Sequence, residues 1–176
     1  MSPRLAVPRP EHRHELRELL EATELFREEE VGVALELFDD GISGRDPDYH
    51  WLAALEGDRL LGAACWGPTP ATEGAWDLYW IAVHPDAQGQ GIGTTLLGAA
   101  EDAVGRARGR LLVVETSGRP AYAPTRNFYR RRGYGEAARL DDFYAPGDAR
   151  VTFVKRLAAG PPGHDPSPTA HAEQPA

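Results

Sequence analysis

The stretch Gln88-Gly89-Gln90-Gly91-Ile92-Gly93-Thr94-Thr95 alternates glycine with other residues and ends on two hydroxyls. Glycine lets a backbone take positive φ and approach a bulky ligand closely. If the stretch opens a helix, its first N–H groups have no internal partner and the macrodipole there is positive. That combination can hold a phosphate or pyrophosphate. It can equally be a tight strand-to-helix turn with no ligand. A Walker A loop would need Gly-Lys-Ser/Thr at its end, and no lysine is present. A dinucleotide fingerprint would need G-x-G-x-x-G, whereas this loop reads G-x-G-x-G.

The flanking elements fit an anion loop. Leu78, Tyr79, Trp80, Ile81, Ala82 and Val83 predict a strand, with a charge only at Asp77. His84-Pro85-Asp86 stops it, since proline has no N–H for a ladder. After the glycines, Ile92, Leu96, Ala99, Ala100, Ala103 and Val104 recur at helical spacing. A second segment, Thr125-Arg-Asn-Phe-Tyr129-Arg-Arg-Arg-Gly133-Tyr134, predicts a short helix from Pro124 to Arg132 with Gly133 as its C-cap. By itself Tyr129 reads as a core-edge aromatic with a wet hydroxyl. Arg130 to Arg132 read as a solvated helix end favoured by the dipole.

The rest of the chain supplies a mixed sheet. Arg4–Pro10 predicts a first strand. A helix then starts near Pro10-Glu11 with Leu16, Leu19 and Leu20 as its stripe. A second helix carries Val31, Ala34, Leu35 and Phe38 and is expected to stop at Gly41. His50–Glu56 and Arg59–Trp66 form a hairpin about Gly57-Asp58. Leu111–Glu115 is a continuous apolar run, as a central strand requires. Ser117–Pro120 reads as a loop, and two strands follow near Glu136–Leu140 and Arg150–Leu157. Ala158–Ala176 lacks apolar periodicity and is expected to be a disordered tail after one domain over 1–157. The order β-α-α-β-β-β-α-β-α-β-β is a mixed-sheet α/β (α+β) domain.

Gln88, Gly91 and Gly93 after the strand Ile81-Ala-Val-His-Pro85 resemble the coenzyme A signature of the GCN5-related N-acetyltransferase (GNAT) family, Gln/Arg-x-x-Gly-x-Gly/Ala. The run Phe128-Tyr129-x-x-x-Gly133-Tyr134 resembles that family's second motif, and the element order matches throughout residues 3 to 157. The resemblance implies a GNAT-like acyl-CoA N-acyltransferase fold with acetyl-CoA as co-substrate and no metal. It places backbone groups of Ile81, Ala82 and Val83 along the pantetheine arm. Gln88, Gly89, Gln90, Gly91, Ile92, Gly93 and Thr94 fall on the pyrophosphate. Asn127 and Tyr129 join the cofactor site. Many members carry an Asn seven residues before the tyrosine; here position 122 is Tyr.

The implied reaction moves the acetyl group to a primary amine by direct attack. An alkylammonium has a pKa near 10, so a base must remove its proton. Asp77, at the start of the fourth strand, and Glu115, ending the fifth, are the candidate bases. Bland alternatives are a solvent-facing strand start for Asp77 and an arginine-paired acid for Glu115. The resemblance gives Tyr129 the role of acid to the departing thiolate. The acceptor is expected to be a small amine, an amino acid derivative or a peptide N-terminus. An acetyl-CoA-binding sensor without turnover is the alternative, and a nucleotide-binding enzyme of another α/β type would need a parallel sheet throughout.

Composition bounds the rest. A net charge of -8 argues against nucleic acid as partner, since phosphate backbones demand a basic footprint. The chain shows no long apolar run and no signal-peptide core, so a cytoplasmic protein without a membrane partner is expected. A homodimer is compatible with this reading. The single cysteine, Cys65, lies in the apolar run Leu60–Trp66 and reads as an inert core thiol.

Overall fold

The computed structural model describes residues 3–157, so the tail expected over 158–176 lies outside the described residues. The chain folds as β1 (Arg4–Ala6), α1 (Arg13–Ala22), α2 (Glu28–Ser43), β2 (His50–Glu56), β3 (Arg59–Pro68), β4 (Ala75–Val83), α3 (Ile92–Arg106), β5 (Leu111–Ser117), α4 (Ala123–Arg130), β6 (Gly135–Ala145) and β7 (Asp148–Arg156). That is the expected order of elements. The strands form one seven-stranded sheet, β1-β2-β3-β4-β5-β7-β6. Only β4 and β5 are parallel, joined by the crossover helix α3. All other pairs are antiparallel. The β2–β3 turn uses Gly57 at φ 62°.

The sheet separates two apolar clusters. On one face α3 buries Ile92, Leu96, Leu97, Ala100 and Val104 against Ala64, Leu78, Leu112, Val114 and Phe153. On the other, α1 and α2 bury Leu16, Leu20, Val31, Leu35 and Phe38 against Ala53, Leu55, Ala63 and Cys65. Neighbouring residues Ala63 and Ala64 belong to opposite clusters, as the two-residue period of a strand requires. A strand covered on both faces needs apolar residues at every position, which explains the run Leu60–Trp66. Cys65 is 0% exposed and burial pushes its thiol well above the ordinary range, so it is a core residue.

Several boundaries differ from the sequence expectation. α2 runs past Gly41 to Ser43, and the left-handed cap is Gly44 at φ 72°. Gly41 serves packing instead: a Cβ there would stand 2.5 Å from the Tyr49 carbonyl oxygen. Past Ser117, a 3₁₀ turn at Pro120–Tyr122 leads into α4. α4 closes at Arg130, with Gly133 at φ 83° reversing the chain into β6. β6 extends to Ala145, longer than its apolar content suggests, because an edge strand can be solvated on both faces. No helix of the described residues is long and apolar enough to cross a membrane.

Candidate active site

The site begins where β4 and β5 part. The two strands pair from Ala75↔Leu111 to Leu78↔Val114 and no further. Beyond that point β4 stays with β3, from Trp80↔Cys65 to Gly62↔Val83, while β5 stays with β7, from Glu115↔Thr152 to Ser117↔Arg150. A bulge marks the fork. Cys65 pairs with Trp80 and Trp66 with Leu78, leaving Tyr79 as an extra residue on β4. Such an insertion raises local twist and turns a strand away from its neighbour. A cleft therefore opens along Tyr79–Val83, whose β5-facing backbone groups lack a strand partner. It widens into a cavity of about 1090 Å³.

The glycine loop forms one end of this cavity. Gly89 and Gly91 take φ 76° and 82°, and a Cβ on either would meet no atom within 4 Å. Their conformation, not crowding, calls for glycine. Gly93 has the opposite reason. A Cβ there would stand 3.3 Å from the Phe128 ring. Gly91 is the N-cap of α3, so the first N–H groups of that fifteen-residue helix point into the cavity end. The Gln88 side chain donates to the Val83 carbonyl at 3.2 Å, tying the loop to the strand.

Two arginines that the sequence alone presents as a solvated helix end stand at this end of the cavity. Arg131 and Arg132 both line the cavity. The Arg132 guanidinium lies 3.8 Å from the Phe128 ring centroid and contacts the Thr94 hydroxyl. Burial, then the neighbouring Arg131, lowers its pKa, and its Nε is buried with no partner. Neither arginine has a carboxylate partner among the described residues. Arg130, by contrast, is paired with Glu136 at 2.8 Å. A signal was present in Gly133, which turns the chain back and keeps the last residues of the motif beside α3.

Of the sequence candidates, Ile81, Ala82, Val83, Gln88, Gly89, Gly91, Ile92, Gly93, Thr94, Tyr129, Asp77 and Glu115 all line this one cavity. Gln90 and Asn127 lie outside its lining. Gln90 points back to the Asp86 carbonyl at 3.4 Å. Asn127 precedes Tyr129 by two helical positions, which puts it on the opposite side of α4, where its Oδ1 accepts from Arg130 at 3.2 Å. Tyr129 is 3% exposed and packs 5.6 Å from Tyr134 and 5.9 Å from Phe153. Burial drives its pKa well above that of free tyrosine, so the hydroxyl stays protonated.

The two carboxylates stand at the fork, each near a tyrosine. Asp77 accepts from the Thr69 hydroxyl at 2.7 Å and has no cation partner among the described residues. Burial and then Asp77 push Tyr79 up to about 12. Glu115 faces Arg150 at 3.5 Å and is 46% exposed. Burial and then Glu115 push Tyr144 up to about 12. Glu29 and Glu30 of α2 and Asp148 of β7 also line the cavity, with Glu30 facing Arg27 at 3.4 Å and Asp148 facing Arg119 at 3.3 Å. Position 122, a tyrosine, is buried and reaches away from the loop to the Leu25 carbonyl at 2.9 Å. Among the described residues no group of His, Cys, Asp and Glu side chains is arranged to hold a metal.

The model of the acetyltransferase (GNAT) family matches residues 13–134. The chain belongs to that family. A GNAT-family acetyltransferase structure from Desulfovibrio desulfuricans is 44% identical, with TM-score 0.83, covering 88% of this chain and 98% of that one. An aminoglycoside 6'-N-acetyltransferase complexed with coenzyme A shares the fold at 18% identity and TM-score 0.71, covering 90% and 99%. The ribosomal-protein-S18-alanine N-acetyltransferase of Escherichia coli does so at 16% identity and TM-score 0.72, covering 91% and 97%. No curated protein matches at a significant level. The chain is thus an acetyltransferase of a family that uses acetyl-CoA.

Proposed function

We propose that this GNAT domain transfers acetyl from acetyl-CoA to a primary amine in the cavity between β4 and β5. The observation that carries the reading is the coincidence, among the described residues, of three features in one cavity: β4 backbone without a strand partner, a helix N-terminus beside two arginines that face no carboxylate, and a carboxylate without a cation partner. The pyrophosphate takes the N–H groups of Gly89–Thr94 with Arg131 and Arg132. The pantetheine arm runs along Ile81–Val83. The acceptor enters past Asp77 and Glu29, cavity carboxylates with no cation partner among the described residues, where cationic amines are favoured: a small amine, an amino acid derivative or a peptide N-terminus.

Asp77 acts as base, directly or through one water, because Glu115 is already paired with Arg150. The ammonium first gives one proton through Asp77 to solvent, and the neutral nitrogen then attacks the thioester carbonyl to form a C–N bond. Its proton passes to Asp77. Backbone N–H groups at the fork stabilise the oxyanion. The C–S bond then breaks, and the Tyr129 hydroxyl donates a hydrogen bond to the leaving thiolate. The test is thiol release from acetyl-CoA with spermidine, kanamycin, lysine and an alanyl peptide, with products weighed for one added acetyl group. Amine-dependent release, lost in Asp77→Asn and largely kept in Glu115→Gln, is expected. Bound acetyl-CoA with no amine-dependent release would refute turnover. The reverse ranking of the two variants would move the base to Glu115.

A further inference from the structure

We propose that Arg119 and Tyr122 are positioning residues that latch the segment between α1 and α2 onto the turn after β5 and so build the acceptor-side wall of the cavity. The inference rests on the acetyl-transfer reading of the same cavity. The segment spans Thr23 to Arg27, and Leu25, Phe26 and Arg27 line the cavity. Glu24 sits at φ 56°, the left-handed residue that ends α1, and Thr23 braces it locally, its Oγ1 donating to the Leu20 carbonyl at 2.7 Å and accepting from the Leu25 N–H at 3.3 Å.

The contacts that tie the segment to the rest of the fold come from nearly a hundred residues away. The Leu25 carbonyl accepts from the Tyr122 hydroxyl at 2.9 Å and from Arg119 Nη2 at 3.3 Å. Tyr122 is 7% exposed, so its hydroxyl is fixed by packing. Arg119 is fixed as well. Its Nε faces Asp148 Oδ2 at 3.3 Å and Ser117 Oγ at 3.3 Å, and Ser117 donates to Asp148 at 2.5 Å. Its guanidinium stands 5.3 Å from the Tyr122 ring centroid. The turn is braced from α4 by Arg126, which donates to the Ser117 and Arg119 carbonyls at 2.7 and 2.9 Å.

The latch has a chemical consequence. It occupies the Leu25 carbonyl and the Asp148 carboxylate, two acceptors that would otherwise hold an incoming ammonium. The amine is left to the carboxylates that serve the reaction. Arg119 and Tyr122 thereby set where the acceptor binds without touching the reacting atoms.

The test uses the full chain with Tyr122→Phe, Arg119→Gln, the double variant and Arg119→Lys. Amide exchange over 23–27, measured with and without coenzyme A, is expected to quicken at least tenfold in the double variant and to stay unchanged across α3. Steady-state assays with the panel amine turned over fastest should show acceptor KM raised tenfold or more. The kcat should hold within threefold and acetyl-CoA affinity within twofold. Arg119→Lys, which keeps a donor and a charge, should recover much of the KM. Unchanged exchange over 23–27 would overturn the latch. So would an acceptor KM within twofold of the parent, or acetyl-CoA affinity falling in step with it. A parent chain that binds no acetyl-CoA would sink the transfer reading instead, while exchange in the ligand-free chain would still decide on the latch.

Discussion

Tyr129→Phe removes one oxygen and leaves the ring. The ring is held between Tyr134 and Phe153, so the core stays filled and stability should change by about 1 kcal/mol or less. The catalytic loss should be larger. A thiol ionises near 8.5, and burial holds Tyr129 above 10, so full proton transfer to the thiolate is uphill by more than about 1.5 units, ~2 kcal/mol. The hydroxyl therefore contributes as a hydrogen bond to a developing anion, worth about 1.5–3 kcal/mol. At a factor of ten per 1.36 kcal/mol, kcat should fall about 10- to 150-fold. The thioester sulfur of bound acetyl-CoA is a weak acceptor, so binding should barely change. Thiol release under saturating amine gives kcat, and calorimetric titration gives the acetyl-CoA affinity. A kcat within threefold of the parent would refute the role. Acetyl-CoA affinity lost in step with kcat would make Tyr129 a structural residue of the cleft.

Other predictions follow from the same geometry. Gly91 is left-handed with open space at its Cβ, so Gly91→Asn and Gly91→Asp should both fold, since these residues tolerate that conformation. Gly91→Asp should bind acetyl-CoA at least tenfold more weakly than Gly91→Asn, an effect that shrinks with salt; equal affinities would remove the phosphates from this loop. Arg132→Ala should weaken acetyl-CoA binding about tenfold or more with little change in kcat at saturation, as calorimetry and thiol release together would show. All six tyrosines have their pKa raised by burial first. The native state then holds phenol protons that the unfolded chain releases near pH 10, so this stability is present below about pH 10 and lost as pH rises toward 12. Phenolate absorbance should lag behind that of the unfolded chain at pH 10 and appear together with loss of the fold; ordinary titration near 10 in the folded state would contradict it.

The features legible in the sequence are those a local stretch determines. Glycines 89 and 91 state their own backbone needs, and the apolar run of β3 states its burial on both faces. What the sequence hid depends on which distant elements meet. Gly41 looks like a helix stop because its packing partner, Tyr49, lies past the loop. Arg131 and Arg132 look like a helix end because the cavity they both line, and the meeting of Arg132 with Thr94, depend on how α4 docks beside α3. The Glu115–Arg150 pair depends on the β5–β7 register. Asn127 shares a motif with Tyr129 yet faces outward, since adjacency in sequence is not adjacency on a helix. The latch is the furthest case, because Leu25 and Tyr122 are strangers until the turn after β5 closes on α1–α2.

The central claim is that the cleft between β4 and β5 is an acetyl-CoA site, and calorimetric titration of the full chain tests it most directly. Acetyl-CoA and coenzyme A should bind one to one with a Kd on the order of 1–100 μM, and ATP and NAD should give no heat at the same concentrations. Binding of ATP or NAD with none of either coenzyme A form would contradict the site, and the mechanism built on it would fall with it.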